Sequence, residues 1–227
     1  MVKRASIKFV PAKQPITELT TKFGGQPVWL SEPQWPVSKS TGRPMQFIAQ
    51  IALDQELFKV AAGQMAYLFM IGDEEEYVDN TWDAHGGENA VIIQPGQPSV
   101  PTFAIDQGPT LYTRIEKPFQ KLFPPKPVEF AVKLTYSEDP DFVEEGERFN
   151  WDDRRQESYF KALQGNKLGG TPGFMQADEF PSKANWQLLL QLDSTSVPFY
   201  INFGDAGIGY AFVSDDGHVG KFLWQCA

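Results

Sequence analysis

The stretch K-F-G-G-Q-P-V-W-L (Lys22 to Leu30) returns past the middle of the chain as K-L-G-G-T-P-G-F-M (Lys167 to Met175). Three further segments return with it, in the same order. An aromatic-Pro pair comes next (Trp35-Pro36; Phe180-Pro181). After it stands an apolar run with glutamines at matching places (Met45–Ile51; Trp186–Leu192), then an alternating run (Met65–Phe69; Ile208–Phe212). Self-similarity over this span constrains the architecture before any single residue does, because it predicts one unit built twice. Each unit has too few strands to bury its own face, and no Ser/Gly-rich linker separates them. The expectation is one domain over residues 1–227. Repeat one runs from about 15 to 94, intervening strands and an acidic loop fill about 95–149, and repeat two covers about 150–227.

Local chemistry supplies the elements. Pro15 to Lys22 reads as a short helix, since proline is tolerated in a first turn, and Gly24-Gly25 stops it. In the second copy Asn150 or Asp152 is placed to cap a helix running to Leu163, with Tyr159, Phe160 and Leu163 on its buried face. Asp54 to Ala62 reads as a further short helix. The glutamine-bearing runs read as strands covered on both sides. Strict alternation puts Phe47, Ala49, Ile51 and Leu53 on one face and Gln46, Ile48 and Gln50 on the other. In the second copy it sets Trp186, Leu188, Leu190 and Leu192 against Gln187, Leu189 and Gln191. Further strands are expected at 65–69, 90–94, 103–105, 111–115, 128–136, 208–212 and 221–225, and an acidic loop at 137–146. The fold class that results is mainly β, roll-like and mixed with a few short helices, roughly a third strand and a fifth helix.

Composition narrows the function. With 41% hydrophobic residues the chain has material for a core. A net charge of -9 leaves no clustered cationic surface, so neither nucleic acid nor an anionic membrane is expected as a partner. The single cysteine, Cys226, permits no intrachain disulfide, so folding needs no oxidising compartment. The first residues carry a basic pair without an apolar stretch behind it, unlike a signal peptide. No apolar run reaches the roughly 20 residues that span a bilayer. A cytoplasmic protein is the expectation, with its oligomeric state left open. No cofactor is expected either: both Gly-Gly turns precede proline rather than Lys-Ser/Thr, so they are not phosphate loops. Asp83, His85 and Glu88 share a Gly-rich loop, but a lone histidine with two acids is a poor metal set. No metal site and no catalytic residue is assigned.

The polar candidates are Gln50 and Gln191, the repeated amides. Two readings stand for them. Either they bond to the backbone of the Gly-Gly-x-Pro turns, or they face a ligand in the groove between repeats. Asp205, in Gly204-Asp205-Ala206-Gly207, is a candidate for a cation or a sugar hydroxyl, or else bonds its own turn. Tyr67 and Tyr210 on the alternating strands, and Trp35 beside a Gly/Pro turn, complete the ligand-binding set. Acidic clusters at Asp73–Glu76 and Glu138–Glu147 are solvated loops that can also steer a basic partner.

These motifs together resemble the YwqG-like family of bacterial proteins of unknown function. The resemblance runs from about Pro15 to Cys226 and rests on Lys22–Pro27, Met45–Leu53, Leu163–Pro172 and Gln187–Phe212. It implies a mainly β, duplicated roll with no established activity or cofactor. Placement of some members near secreted-toxin genes implies an immunity or partner-binding role. The first copy departs from the Gly-Asp-x-Gly pattern, carrying Ala61-Ala62-Gly63 in its place. The functional expectation is a non-catalytic binding protein for a basic protein partner. The alternative is a carboxylate-based enzyme or a carbohydrate-binding module acting in the inter-repeat groove.

Overall fold

A computed structural model of the chain describes residues 1–60, 62–72, 77–113 and 126–227. The acidic run Asp73–Glu76 and the strand positions Arg114 and Ile115 lie outside the described residues. In chain order the strands are β1 (Val2–Pro11), β2 (Lys22–Gly24), β3 (Trp35–Pro36), β4 (Gln46–Ala52), β5 (Met65–Met70), β6 (Asn89–Gln94), β7 (Thr102–Phe103), β8 (Tyr112–Thr113), β9 (Lys126–Pro127) and β10 (Glu129–Asp139). Helices α1 (Glu145–Arg148) and α2 (Asp153–Leu163) come next, then β11 (Lys167–Gly169), β12 (Trp186–Asp193), β13 (Ile208–Ser214) and β14 (Gly220–Gln225).

Ten of these strands form one antiparallel sheet in the order β14-β13-β12-β11-β1-β10-β2-β4-β5-β6. At its centre β1 and β10 pair along their whole length, from Val2 opposite Asp139 to Pro11 opposite Phe130. Each central strand then pairs with a strand from the other sequence half: β1 with β11, β10 with β2. The sheet curls until its two edges nearly meet. A Cβ on Gly220 of β14 would lie 2.3 Å from Cγ1 of Val91 in β6, so only glycine allows the approach. Trp224 N donates to Trp82 O (3.3 Å) and Gln64 Nε2 to Gly217 O (3.0 Å) across the same seam. Near-closure hides edges that would otherwise recruit other strands.

The inner face holds the main core, with Phe23, Ile51, Leu68, Phe130, Leu168, Leu190, Val213 and Phe222 buried in it. Two connections plug it: Phe58 and Val60 from the β4–β5 loop, Phe199, Ile201 and Phe203 from the β12–β13 loop. Outside the sheet lie two smaller clusters. Trp35, Phe47, Tyr67, Phe69 and Ile92 pack under the loop carrying Trp29 and Leu30. Phe174, Leu188, Tyr210, Phe212 and Leu223 pack under Phe142 and Phe180. The glutamine-bearing strands β4 and β12, with β5 and β13 beside them, are therefore covered on both sides, as their apolar runs require.

Several local expectations are revised. A register shift falls between Phe47 and Ala49 in β4, and another between Leu188 and Leu190 in β12. Such a bulge adds one residue and breaks the period-two count. Phe47 and Leu188 consequently face the outer clusters, while Ile48 and Leu189 join the inner one. The segment from Pro15 is not helical. Three of its carbonyls are occupied by side chains: Ile16 O by Lys22 Nζ, and Glu18 O and Thr20 O by Gln50 Nε2. The stretch from Asp54 makes a single turn, with Leu57 N and Phe58 N both donating to Asp54 O. Helix accordingly amounts to 7% of the described residues, below the fifth expected. The expected helix at α2 forms, and Asp152 caps it by accepting from Arg155 N (2.8 Å). Ser137, Glu138 and Asp139 belong to β10 rather than to a loop.

Candidate functional site

Gln50 and Gln191 are both wholly buried. Gln50 Oε1 accepts from Val28 N (2.8 Å), and its Nε2 donates to Thr20 O (2.8 Å) and Glu18 O (3.2 Å). Gln191 makes the same three kinds of bond, to Gly173 N (2.9 Å), Leu163 O (2.9 Å) and Gly165 O (3.1 Å). Gln50 stands opposite Lys22 on one side and Tyr67 on the other; Gln191 stands opposite Lys167 and Tyr210. The Tyr67 hydroxyl donates to Val28 O (2.9 Å) and accepts from Leu30 N (2.7 Å), and the Tyr210 hydroxyl donates to Gly173 O (2.8 Å). All four polar groups are turned toward turn backbone. Trp35 is also wholly buried, with Nε1 donating to Met45 O (2.8 Å). Asp205 is exposed, and its carbonyl accepts from Ala227 N (3.0 Å). The six candidates therefore do not converge. Gln50, Tyr67 and Trp35 share one outer cluster, Gln191 and Tyr210 line the other, and Asp205 sits on a turn.

Sequence reading misses the buried charges. Lys22 Nζ bonds Glu129 Oε1 (2.6 Å), Gln26 O (2.6 Å) and Ile16 O (3.0 Å). Lys167 Nζ bonds Asp139 Oδ2 (2.7 Å), Thr171 O (2.7 Å) and Leu163 O (2.8 Å). Each ammonium thus spends its three donors on one carboxylate and two carbonyls, and the two carboxylates come from opposite ends of β10. Asp139 also accepts from Thr171 N (3.0 Å), and Arg4 Nη1 lies 2.9 Å from its Oδ1, an ion pair not aligned as a hydrogen bond. Burial pulls the Lys167 ammonium down to about 8, against the opposing pull of Asp139. A signal for these charges is present in the sequence: a lysine stands just before Gly-Gly in both halves of the chain, with one apolar residue between.

Between the sequence halves lies a groove of about 770 Å3. Leu57 and Lys59 of the β4–β5 loop form one wall; Phe142, Phe180, Trp186 and Gln187 form the other. Lys59 N donates to Gln187 Oε1 (2.8 Å), while Gln187 Nε2 has no partner among the described residues. Glu144, on the rim, leads into α1. There Arg148 is buried and bound to Asp178 (2.6 Å) and to Val143 O. The next residue, Phe149, is 85% exposed. Glu144, Glu145, Glu147, Asp152 and Asp153 around it are exposed too. The arrangement is an aromatic held out from a pinned turn among carboxylates.

The loop that carries Asp83, His85 and Glu88 does not gather them at a metal. Glu88 bonds Ser38 Oγ (2.5 Å) and Ser40 N (2.9 Å), Asp83 Oδ1 accepts from His85 N (2.8 Å), and the His85 ring meets Pro181 O (2.7 Å). Among the described residues no group of three His, Cys, Asp or Glu side chains is placed to hold a metal. Among them, too, no helix is long and apolar enough to cross a membrane.

A family model described as a domain of unknown function, DUF1963, matches residues 21–218. The chain belongs to the DUF1963 family. The matched span takes in both buried lysines, both glutamines and the whole inter-half groove apart from the start of β1. No match was found among curated proteins. What the DUF1963 span carries in common between its halves is thus a set of buried bonds, and these have a measurable signature. Burial raises the Tyr67 hydroxyl from 10.0 to about 12. Between those values the unfolded chain has lost the proton and the folded one retains it. The stability this contributes is whole below pH 10 and is lost as pH rises toward 12. Two pKa units correspond to about 2–3 kcal/mol. Tyr67→Phe should therefore lose about that much less stability than the wild type between pH 10 and 12 in urea titrations. Parallel losses in the two proteins would contradict the assignment.

Proposed function

We propose that this DUF1963 protein is a non-catalytic binding protein whose partner is a basic protein segment, seated on the inter-half groove and the adjoining α1 turn. The observation that carries the reading is Phe149, 85% exposed and held out by the buried Arg148–Asp178 pair among five exposed carboxylates. An aromatic anchor flanked along the chain by carboxylates, with Arg154 and Arg155 beyond them, can give a protein interface both affinity and orientation. The acidic flank steers a basic partner and Phe149 fills its pocket. A toxin-neutralising role is one form of this reading. The same reading takes the two sequence halves as copies of one unit akin to the YwqG-like proteins. Its support is the bond-for-bond agreement of Gln50 with Gln191 and Lys22 with Lys167.

The test is comparative affinity capture from native lysate. Wild-type protein should retain a basic protein that is released by high salt. The triple variant Glu145→Lys, Glu147→Lys, Phe149→Ser should lose it, at least tenfold, with its melting temperature unchanged. Recovery of the same proteins by both would sink the proposal. One observation favours a second reading: Trp186 on the groove wall offers an indole on which a sugar ring can stack, beside Gln187, whose Nε2 has no partner among the described residues. Saturable quenching of tryptophan fluorescence by an oligosaccharide, abolished in Trp186→Ala, would favour it over the first.

A further inference from the structure

The seam where β6 meets β14 encloses a second cavity, of about 330 Å3, lined among others by Lys39, His85, Asn89, Ser99 and Lys221. Its ionised groups are unlike the other buried cations of the molecule. Lys22 and Lys167 each satisfy three donors, one of them on a carboxylate. Lys221 Nζ has Ala84 O at 3.1 Å and His85 Nδ1 at 3.4 Å, and no carboxylate among the described residues. The ring is held in one tautomer. Pro181 O can only accept, so the proton sits on Nε2, and Nδ1 presents its lone pair to the ammonium. An ammonium has three donors, so one donor of Lys221 is left over.

The acids nearby keep their charge but make no ion pair with Lys221 among the described residues. Asp83 Oδ1 takes His85 N, and the two Glu88 oxygens take Ser38 and Ser40. The Lys39 ammonium and the Ser99 hydroxyl, on residues that line the same cavity, have no partner among the described residues. In a chain of net charge -9 this cavity is lined by two ammonium groups that meet no described carboxylate. Half-burial lowers the affinity of Lys221 for its proton, with Asp83 pulling the other way, and a bound anion would restore it.

We infer that this seam cavity binds a small phosphate-class oxyanion, with Lys221 and Lys39 donating to its oxygens and Ser99 supplying a neutral donor. The carboxylate that completes Lys22 and Lys167 is replaced at Lys221 by the ligand. The cavity is larger than a single phosphate, which leaves room for the organic part of a monoester.

The test uses the full chain and amide NMR at constant, low ionic strength. Inorganic phosphate and glycerol phosphate are titrated against chloride and acetate. Saturable shifts of the Gly87, Asn89 and Lys221 amides are expected with both phosphates. Tighter binding of the monoester would identify an ester as the natural ligand. Lys221→Gln and Lys39→Gln should each weaken binding about tenfold or more, since each removes a charge-assisted bond. Lys39 is exposed, so its variant keeps the test decisive even where Lys221→Gln perturbs the seam. Shifts that fail to saturate, that acetate reproduces at equal concentration, or that survive both substitutions would overturn the assignment.

Discussion

Replacing Asp139 with alanine is expected to cost about 3–5 kcal/mol, because it strands a buried charge rather than deleting a contact. Asp139 has no exposed surface, and it holds the Lys167 ammonium, the Arg4 guanidinium and Thr171 N together at the end of β10. Without it the ammonium keeps two carbonyls and no counterion. The melting temperature should fall by about 6–20 °C. Glu129→Ala removes the corresponding partner of Lys22, but Glu129 is 13% exposed, so water can enter and the loss should be smaller. Adding Lys167→Met to Asp139→Ala should recover part of the stability, since the orphaned charge goes with it. Urea denaturation of the three variants measures all of this. A loss under about 1 kcal/mol for Asp139→Ala would mean the pair is solvated in solution.

The elements are readable where local chemistry decides them. Asp152 and the buried pair Tyr159 and Leu163 spell α2, and the glycines after Lys22 and Lys167 take φ between +64° and +81°, as the turn demands. The alternation of Ala5, Ile7 and Phe9 with Arg4, Ser6 and Lys8 is also present in β1. Charged neighbours hide it, because that strand has one wet face. Pairing is not legible. β1 joins β10 and β11, more than a hundred residues away, and no local residue announces a partner at that distance. Nor does a bulge have a composition, so strict alternation puts Phe47 and Leu188 on the wrong face. The same holds for the candidate site. In a sequence, Phe149 looks like core and Arg148 like surface. Only the contact with Asp178, thirty residues on, exchanges their roles.

Gln50→Leu and Gln191→Leu should each cost about 2–5 kcal/mol, and by nearly the same amount. Leucine keeps the volume and removes the amide. Each substitution strips two backbone groups of their partner; a stranded buried group costs about 1–3 kcal/mol, and the carbonyl of each pair, on exposed Thr20 or Gly165, falls at the lower end because water can reach it. For Gln50 these are Val28 N and Thr20 O, because Glu18 O also accepts from Thr20 N (2.9 Å). For Gln191 they are Gly173 N and Gly165 O, because Leu163 O also accepts from Lys167 (2.8 Å). The two glutamines share no partner, so the double variant should lose the sum to within about 0.5 kcal/mol. Chemical denaturation of the singles and the double reads out both claims. If one variant were near neutral while the other unfolded the chain, the two halves would not be held by the same device. The ligand reading of the neutral residue would then regain its force, since an amide that does not hold its turn is free to meet something else.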